Sequence, residues 1–175
     1  MIVDVHTHLP THPDEVPADQ VKTEETMRSG EVVRLTNTID DYLRDMGPVD
    51  KAFLFGIAPR PWIKRIPGSD FGAGIGWDSS LNHNDVASIT AKRAPDKIIP
   101  FMSLHPLDPG VDDEYDRAVG DLGCKGIKLA PNYQYFDPVG EEAFRLYARL
   151  EADGIPAVFH QGTGVTADAP LAWAH

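Results

Sequence analysis

The chain is expected to fall in the α/β class, as a parallel sheet wrapped by helices, and three observations predict this. Five short apolar, often β-branched runs recur along the sequence, helix-like segments alternate with them, and most of the connections are short. Parallel strands cannot be joined by tight hairpins, so each crossover needs a covering element, and a repeated strand–helix order supplies one. With 175 residues, 42% apolar and 25% charged, the chain has the size and composition of a packed globular protein. Residues 1–175 are therefore read as a single domain.

The runs IVDVH (2–6), KAFLFGI (51–57), IIPFMSL (98–104), GIKLA (126–130) and PAVFH (156–160) read as strands. TIDDYLRDMG precedes the second run, NDVASITAKRAPDK the third and GVDDEYDRAVGDLG the fourth, each with helical character. The clearest helix spans about Glu141 to Asp153, with Phe144, Leu146, Tyr147 and Leu150 on one face and Gly154 as its stop. Tyr115, Ala118, Val119 and Leu122 form a similar stripe ended by Gly123. Both faces are expected to bury against the sheet. Two irregular regions, 9–38 and 58–81, directly follow strands, where a barrel carries its active-site loops. FGAGIGW (71–77) contains GxGxG but neither follows a strand directly nor opens a helix. It reads as a substrate-covering loop rather than a nucleotide loop.

A formal net charge of -11 and a pI near 4.9 argue against nucleic acid or an anionic membrane surface as partner. Cys124 is the only cysteine, which excludes an intrachain disulfide and a four-cysteine zinc knuckle. Any metal would then use His, carboxylate or lysine-derived ligands. No run approaches the roughly 20 apolar residues of a membrane span, and the first residues lack the basic-then-apolar form of a signal peptide. Cytoplasm is the expected location.

In the first run, strand alternation puts Asp4, His6 and His8 on one face, with Val3, Val5 and Thr7 on the other. Two imidazoles so placed can share one divalent ion, and Asp4 can hold an imidazole N–H in the ligand tautomer. His160 ends the fifth run, in FHQGTG, where a parallel barrel aims groups from different strands at one point. A hydrogen-bonded strand-end histidine is the plain alternative. Three imidazoles would leave coordination positions open, for a water of lowered pKa or for a substrate carbonyl or carboxylate. Lys128, in KGIKLAP, is an inward lysine near the end of the fourth run. It pairs with a carboxylate, contacts a substrate carboxylate, or is carboxylated and bridges two metals.

These stretches, DVHTH, TIDDYLRDMGPVDKAFLFGI, KIIPFMSLHP, GCKGIKLAPNYQYFDP and GIPAVFHQGTG, resemble the amidohydrolase superfamily across the whole chain and in order. The similar branch holds metal-dependent hydrolases together with aminocarboxymuconate-semialdehyde decarboxylase and related aromatic-acid decarboxylases. The resemblance implies a TIM-barrel type (β/α)8 fold of which about the first five strand–helix units are present. It implies His6, His8 and His160 as metal ligands, one divalent ion with zinc expected, and a second ion if Lys128 is carboxylated. The implied activity is attack of a metal-activated water on an amide, ester or lactone, or decarboxylation of an aromatic or enoic acid. A catalytically incomplete metal-binding fragment or assembly partner is the further alternative. The substrate would be a small anionic or carbonyl-containing molecule, and a homo-oligomer is among the expected forms.

Eight such units take about 250 residues. The family's sixth-strand histidine and eighth-strand aspartate have no counterpart before His175, which follows LAWA and reads as linker. The chain is thus expected to be a piece of a longer product, a shortened version of one, or a partial barrel completed by another chain.

His105, in SLHP, faces the same mouth and is a candidate catalytic residue alongside Lys128, with a loop hydrogen bond as its plain reading. Arg60 and Trp62 are placed to clamp a flat anion or to pack their loop, and Tyr133 and Tyr135 share that ambiguity. His12 is expected to be exposed, His83 to lie in a helix-cap region, and Cys124 to be a small buried residue.

Overall fold

The computed structural model of the protein describes residues 1–25, 30–62, 81–162 and Trp173. FGAGIGW and His175 lie outside the described residues. In chain order the elements are β1 (Val3–His8), a 3-10 turn at Ala18–Gln20, β2 (Thr23–Glu25), β3 (Val32–Arg34) and α1 (Ile39–Asp45). Then follow β4 (Lys51–Phe55), α2 (His83–Arg93), β5 (Ile98–Met102), α3 (Val111–Gly120), β6 (Gly126–Leu129), α4 (Pro131–Gln134), α5 (Glu141–Asp153) and β7 (Ala157–Phe159). The five expected strands and the four expected helices are all present.

β1, β4, β5, β6 and β7 form one sheet in that order, and every neighbouring pair is parallel. Alternation along the strands sends Ala52, Leu54 and Ile98 into one helix-side core with Leu9, Tyr42, Val86, Ala87 and Ala91. Met102, Ile127 and Leu129 enter a second core with Tyr115, Ala118, Phe136, Ala143, Leu146 and Leu150. On the opposite face Phe53 stacks on Phe101 at 4.6 Å, and Phe55 meets Phe101 edge-on at 6.4 Å. Gly126 makes room for that stack, because a Cβ there would lie 2.1 Å from Phe101 Cε1.

Helix boundaries follow from capping chemistry. Thr38 and Asp41 form a reciprocal capping box at the start of α1, and Asn82 and Asp85 form one at the start of α2. Gly154 closes α5 in the left-handed region, at φ 66°, as its sequence position foretold. Along α5 the sheet-facing residues are Ala143, Leu146 and Leu150, whereas Phe144 is 56% exposed. Its assignment to the buried stripe is corrected: the ring stands 5.8 Å from Tyr147, which in turn meets Phe159 of the edge strand β7 at 5.6 Å.

The segment after β1 is more ordered than its composition suggests. β2 and β3 pair as a small antiparallel hairpin. His12 is buried, against the expectation that it is exposed, with Nδ1 2.9 Å from Thr11 Oγ1 and Nε2 3.0 Å from Gln20 Oε1. Thr11 and Asn37 lock the two ends of the loop through three further hydrogen bonds of 2.8–3.1 Å. Two polar partners supplied by the loop itself remove the cost of burying an imidazole. Cys124 is buried as expected, and burial pushes its thiol up to about 12, so it is unreactive. No helix among the described residues is long and apolar enough to cross a membrane.

Behind α2 and α3 lies a half-buried ionic network. Arg117 pairs with Asp85 at 2.6 Å and with Glu114 at 2.7 Å, and Glu114 also accepts from Asn84 at 2.7 Å and Asn82 at 3.0 Å. Burial alone would raise both carboxyls, but their hydrogen bonds to Arg117, with those from the asparagines, outweigh it and hold them below the ordinary range. Groups depressed in the folded state stabilise it above their unfolded pKa and lose that contribution as pH falls through the folded one.

Two outcomes follow. Thermal melts should show stability declining as pH drops below the usual carboxylate range near 4, with a visibly shallower decline in Arg117→Met. Gly126→Ala should cost about 1–3 kcal/mol in urea unfolding, because Phe101 cannot yield without breaking its stack on Phe53.

Candidate metal centre

β1 carries an irregularity that sets up the site. Val3 and Asp4 register with Lys51 and Ala52, but Thr7 and His8 register with Leu54 and Phe55, so β1 holds one extra residue between Asp4 and Thr7. Strict alternation of Asp4, His6 and His8 is therefore broken. Asp4 Oδ1 accepts the backbone N–H of His6 at 3.0 Å, and this replaces its expected role as an imidazole partner. On the helix side Thr7 anchors the strand end: its hydroxyl donates to the Phe53 carbonyl at 2.6 Å and lies 2.7 Å from Tyr42 Oη.

Past the irregularity, His6 and His8 come together with ring centroids 5.1 Å apart, and Phe55 sits edge-on to both at 5.1 and 5.7 Å. Lys128 reaches the same place from β6. It is 1% exposed, its Nζ has no hydrogen-bond partner among the described residues, and it stands 4.7 Å over the Phe55 ring. Among the described residues it has no carboxylate partner of the kind expected under its plainest reading. His160 follows β7, tied by its backbone N–H to the Leu129 carbonyl at 2.8 Å, with its ring 4.6 Å from Tyr133. Its Nε2 is buried without a hydrogen-bond partner among the described residues.

The Lys128 charge acts on all three imidazoles. Burial lowers His6, His8 and His160 below the ordinary histidine range. The Lys128 charge lowers all three further, His6 and His160 also lower His8, and His6 lowers His160. Burial likewise lowers the Lys128 amine. Neutral imidazoles are the form that binds metal. Among the described residues, however, no three His, Cys, Asp or Glu side chains already stand close enough to hold an ion. Each ring leans on an aromatic neighbour instead, His6 and His8 on Phe55 and His160 on Tyr133. The donor set still suits a divalent cation: two accessible imidazoles and a third whose buried nitrogen has no partner among the described residues.

His105 is buried and has both ring nitrogens engaged. Nε2 donates to the Gln134 carbonyl at 2.7 Å, and Nδ1 accepts from the Leu107 N–H at 3.1 Å. The loop hydrogen bond is thus its observed role. His83 is the first residue of α2, after the Asn82 cap, and its Nε2 lies 2.7 Å from the Ser103 carbonyl. Two residues unnoticed in the sequence organise this mouth. Ser103 Oγ donates to the Lys128 carbonyl at 2.7 Å and accepts from the Ala58 N–H at 2.9 Å. Gln134 accepts from the Ala130 N–H and donates to the Leu104 carbonyl, both at 2.7 Å. Their one sequence signal is a polar residue directly after an apolar run or a Pro-initiated turn.

The comparisons with known proteins bear on this arrangement. The amidohydrolase family model matches residues 77–175, more than half of the chain. The chain belongs to the amidohydrolase family. No curated protein matches it. Among solved structures, 2,6-dihydroxybenzoate decarboxylase complexed with 2,6-dihydroxybenzoate aligns with a TM-score of 0.60 at 19% identity, over 99% of this chain and 56% of its own. A 5-carboxyvanillate decarboxylase from Novosphingobium aromaticivorans, with bound manganese, gives 0.51 at 23%, over 70% and 34%. A 4-oxalomesaconate hydratase from Rhodopseudomonas palustris gives 0.54 at 20%, over 91% and 52%. The chain spans about half the length of the first of these. Its five parallel strands are a curled half-barrel, a partial TIM barrel of this family.

Lys128 yields a checkable consequence. Lys128→Met should leave the fold intact and equal or exceed the parent in stability, because a buried amine without a hydrogen-bond partner is replaced by an apolar chain of similar length. The same substitution should move the titrations of His6, His8 and His160, followed by NMR, up toward 6.5.

Proposed function

We propose that this amidohydrolase half-barrel contributes the ligands His6, His8 and His160 of a one-metal centre that serves a hydrolase or a carboxy-lyase. The observation that carries the reading is the His6–His8 pair, rings 5.1 Å apart against the Phe55 ring that Lys128 also overlies, together with His160, whose buried Nε2 has no hydrogen-bond partner among the described residues. A divalent ion held there would bring the pKa of a water toward neutrality or polarise a substrate carboxylate. Zinc, which imidazole donors suit, is the expected ion; manganese, present in the carboxyvanillate decarboxylase, binds such donors more weakly and is the second candidate.

Around that centre the chain's own residues supply shape and charge. Phe55 forms an apolar floor under His6 and His8. Lys128, kept dry over that floor, offers three unused N–H donors to an oxygen of an anionic substrate. His105 acts as a positioning residue, pinning α4 and hence Tyr133 against His160. Hydrolysis of an amide, ester or lactone uses this set when water is the nucleophile. Decarboxylation is the second reading, favoured by the two decarboxylases among the structural neighbours. In either case the proposed substrate is a small molecule bearing a carbonyl or carboxylate, and the proposed location is the cytoplasm.

Metal analysis by mass spectrometry tests the proposal. The purified chain, loaded with zinc or manganese and desalted, should retain about one ion per chain, and His160→Ala and His6→Ala should each retain at least tenfold less. Equal retention by both variants would remove the metal assignment. Two ions together with a carbon dioxide adduct on Lys128 would replace the one-metal centre by a two-metal hydrolytic one; with one ion and unmodified lysine, release of carbon dioxide from an aromatic carboxylate separates the decarboxylating reading from the hydrolytic one.

A further inference from the structure

We infer that Arg60 is the specificity-determining residue for a substrate carboxylate, a separate anion arm beside the three histidines. The inference builds on the substrate binding proposed above but rests on different residues. The chain carries 27 acidic and 16 basic residues, so a half-buried arginine would ordinarily be neutralised. Arg117 and Arg149, the other half-buried arginines among the described residues, each pair with aspartate or glutamate. Arg60 pairs with no carboxylate among the described residues. It donates only Nε, to the Tyr133 carbonyl at 3.1 Å, and lays its guanidinium 4.6 Å over the Tyr135 ring.

This geometry suits capture of an anion. The Nε bond and the aromatic face fix the guanidinium plane from two directions, and they leave the Nη groups to grip two carboxylate oxygens side by side. Tyr135 holds its ring there from a left-handed backbone, the one positive φ among the described non-glycine residues, at 65°. Such a conformation in a bulky residue persists only where its surroundings enforce it. Tyr133, whose carbonyl anchors Arg60, packs its own ring against His160, tilted by 57° at 4.6 Å, so one residue links the arm to His160. Trp62 stands edge to face with His105 at 5.3 Å and is 54% exposed, which gives the mouth a flat apolar wall. A planar acid with one carboxylate fits an arginine fork beside aromatic rings.

Calorimetric titration of the full chain with benzoate and with benzamide, its uncharged near-isostere, tests the inference. The wild type should bind benzoate on the order of tenfold more tightly than benzamide. Arg60→Gln should erase that preference while its circular dichroism and metal content stay unchanged, and Arg60→Lys should keep only part of it, because the charge survives without the fork. A preference that survives in Arg60→Gln, or no preference in the wild type, overturns the inference. His160→Ala separates it from the metal proposal: benzoate preference without metal retention sustains Arg60 as the arm. Unchanged metal retention in His160→Ala and His6→Ala together with that preference removes the metal assignment and leaves Arg60 standing.

Discussion

Ser103 is fully buried where three strand ends converge, and its polar atoms are all in use. Its N–H donates to Asn84 Oδ1, its carbonyl takes Nε2 of His83 and Nδ2 of Asn84, and its hydroxyl joins the Ala58 N–H to the Lys128 carbonyl. A buried polar atom left unmatched costs about 1–3 kcal/mol, so this node holds only when the chain after β4, the start of α2 and the end of β6 take one arrangement. The rest of the mouth depends on it. With the Lys128 backbone fixed, its side chain must run over Phe55, and Phe55 in turn buttresses His6 and His8.

The mouth also inverts the electrostatics of the molecule. The net charge of -11 is borne by carboxylates that are largely exposed or already paired with arginine. Lys128 and Arg60, by contrast, stand at the strand ends without a carboxylate partner among the described residues. An acidic exterior repels polyanions broadly, and these two side chains are local exceptions to it.

The flanks of the sheet have a different character. β1 and β7 are the edge strands, and apolar side chains lie open beside them: Ile2 and Val5 at one edge, Phe144 and Phe159 at the other. Parallel sheets of α/β proteins are normally covered on both faces and closed or flanked at their edges. The solved structures that share this fold carry roughly as much chain again, since 99% of this chain corresponds to 56% of the first of them. The half that is described nevertheless packs two helix-side cores and a self-stacked aromatic inner face.

The five strands of the main sheet and the four long helices were legible in the sequence, because period-two apolar runs and helix stops are local properties that burial then reinforces; the β2–β3 pair and α4 were not. The Glu141–Asp153 helix, its Gly154 stop and all five strands lie where their residues indicated. His6, His8, His160 and Lys128 were legible as candidates because each sits at or near the end of one of those strands. Contacts between elements distant in sequence were not legible. The extra residue in β1, the Gln134 carbonyl that engages His105 Nε2, and the absence among the described residues of a carboxylate beside Lys128 depend on such neighbours, while the burial of His12 depends on how its own loop folds back. Local chemistry determined which residue types reach the mouth. Only the tertiary structure decided which of their atoms are already hydrogen-bonded and which remain for a ligand, because that depends on the groups the fold brings within about 3 Å.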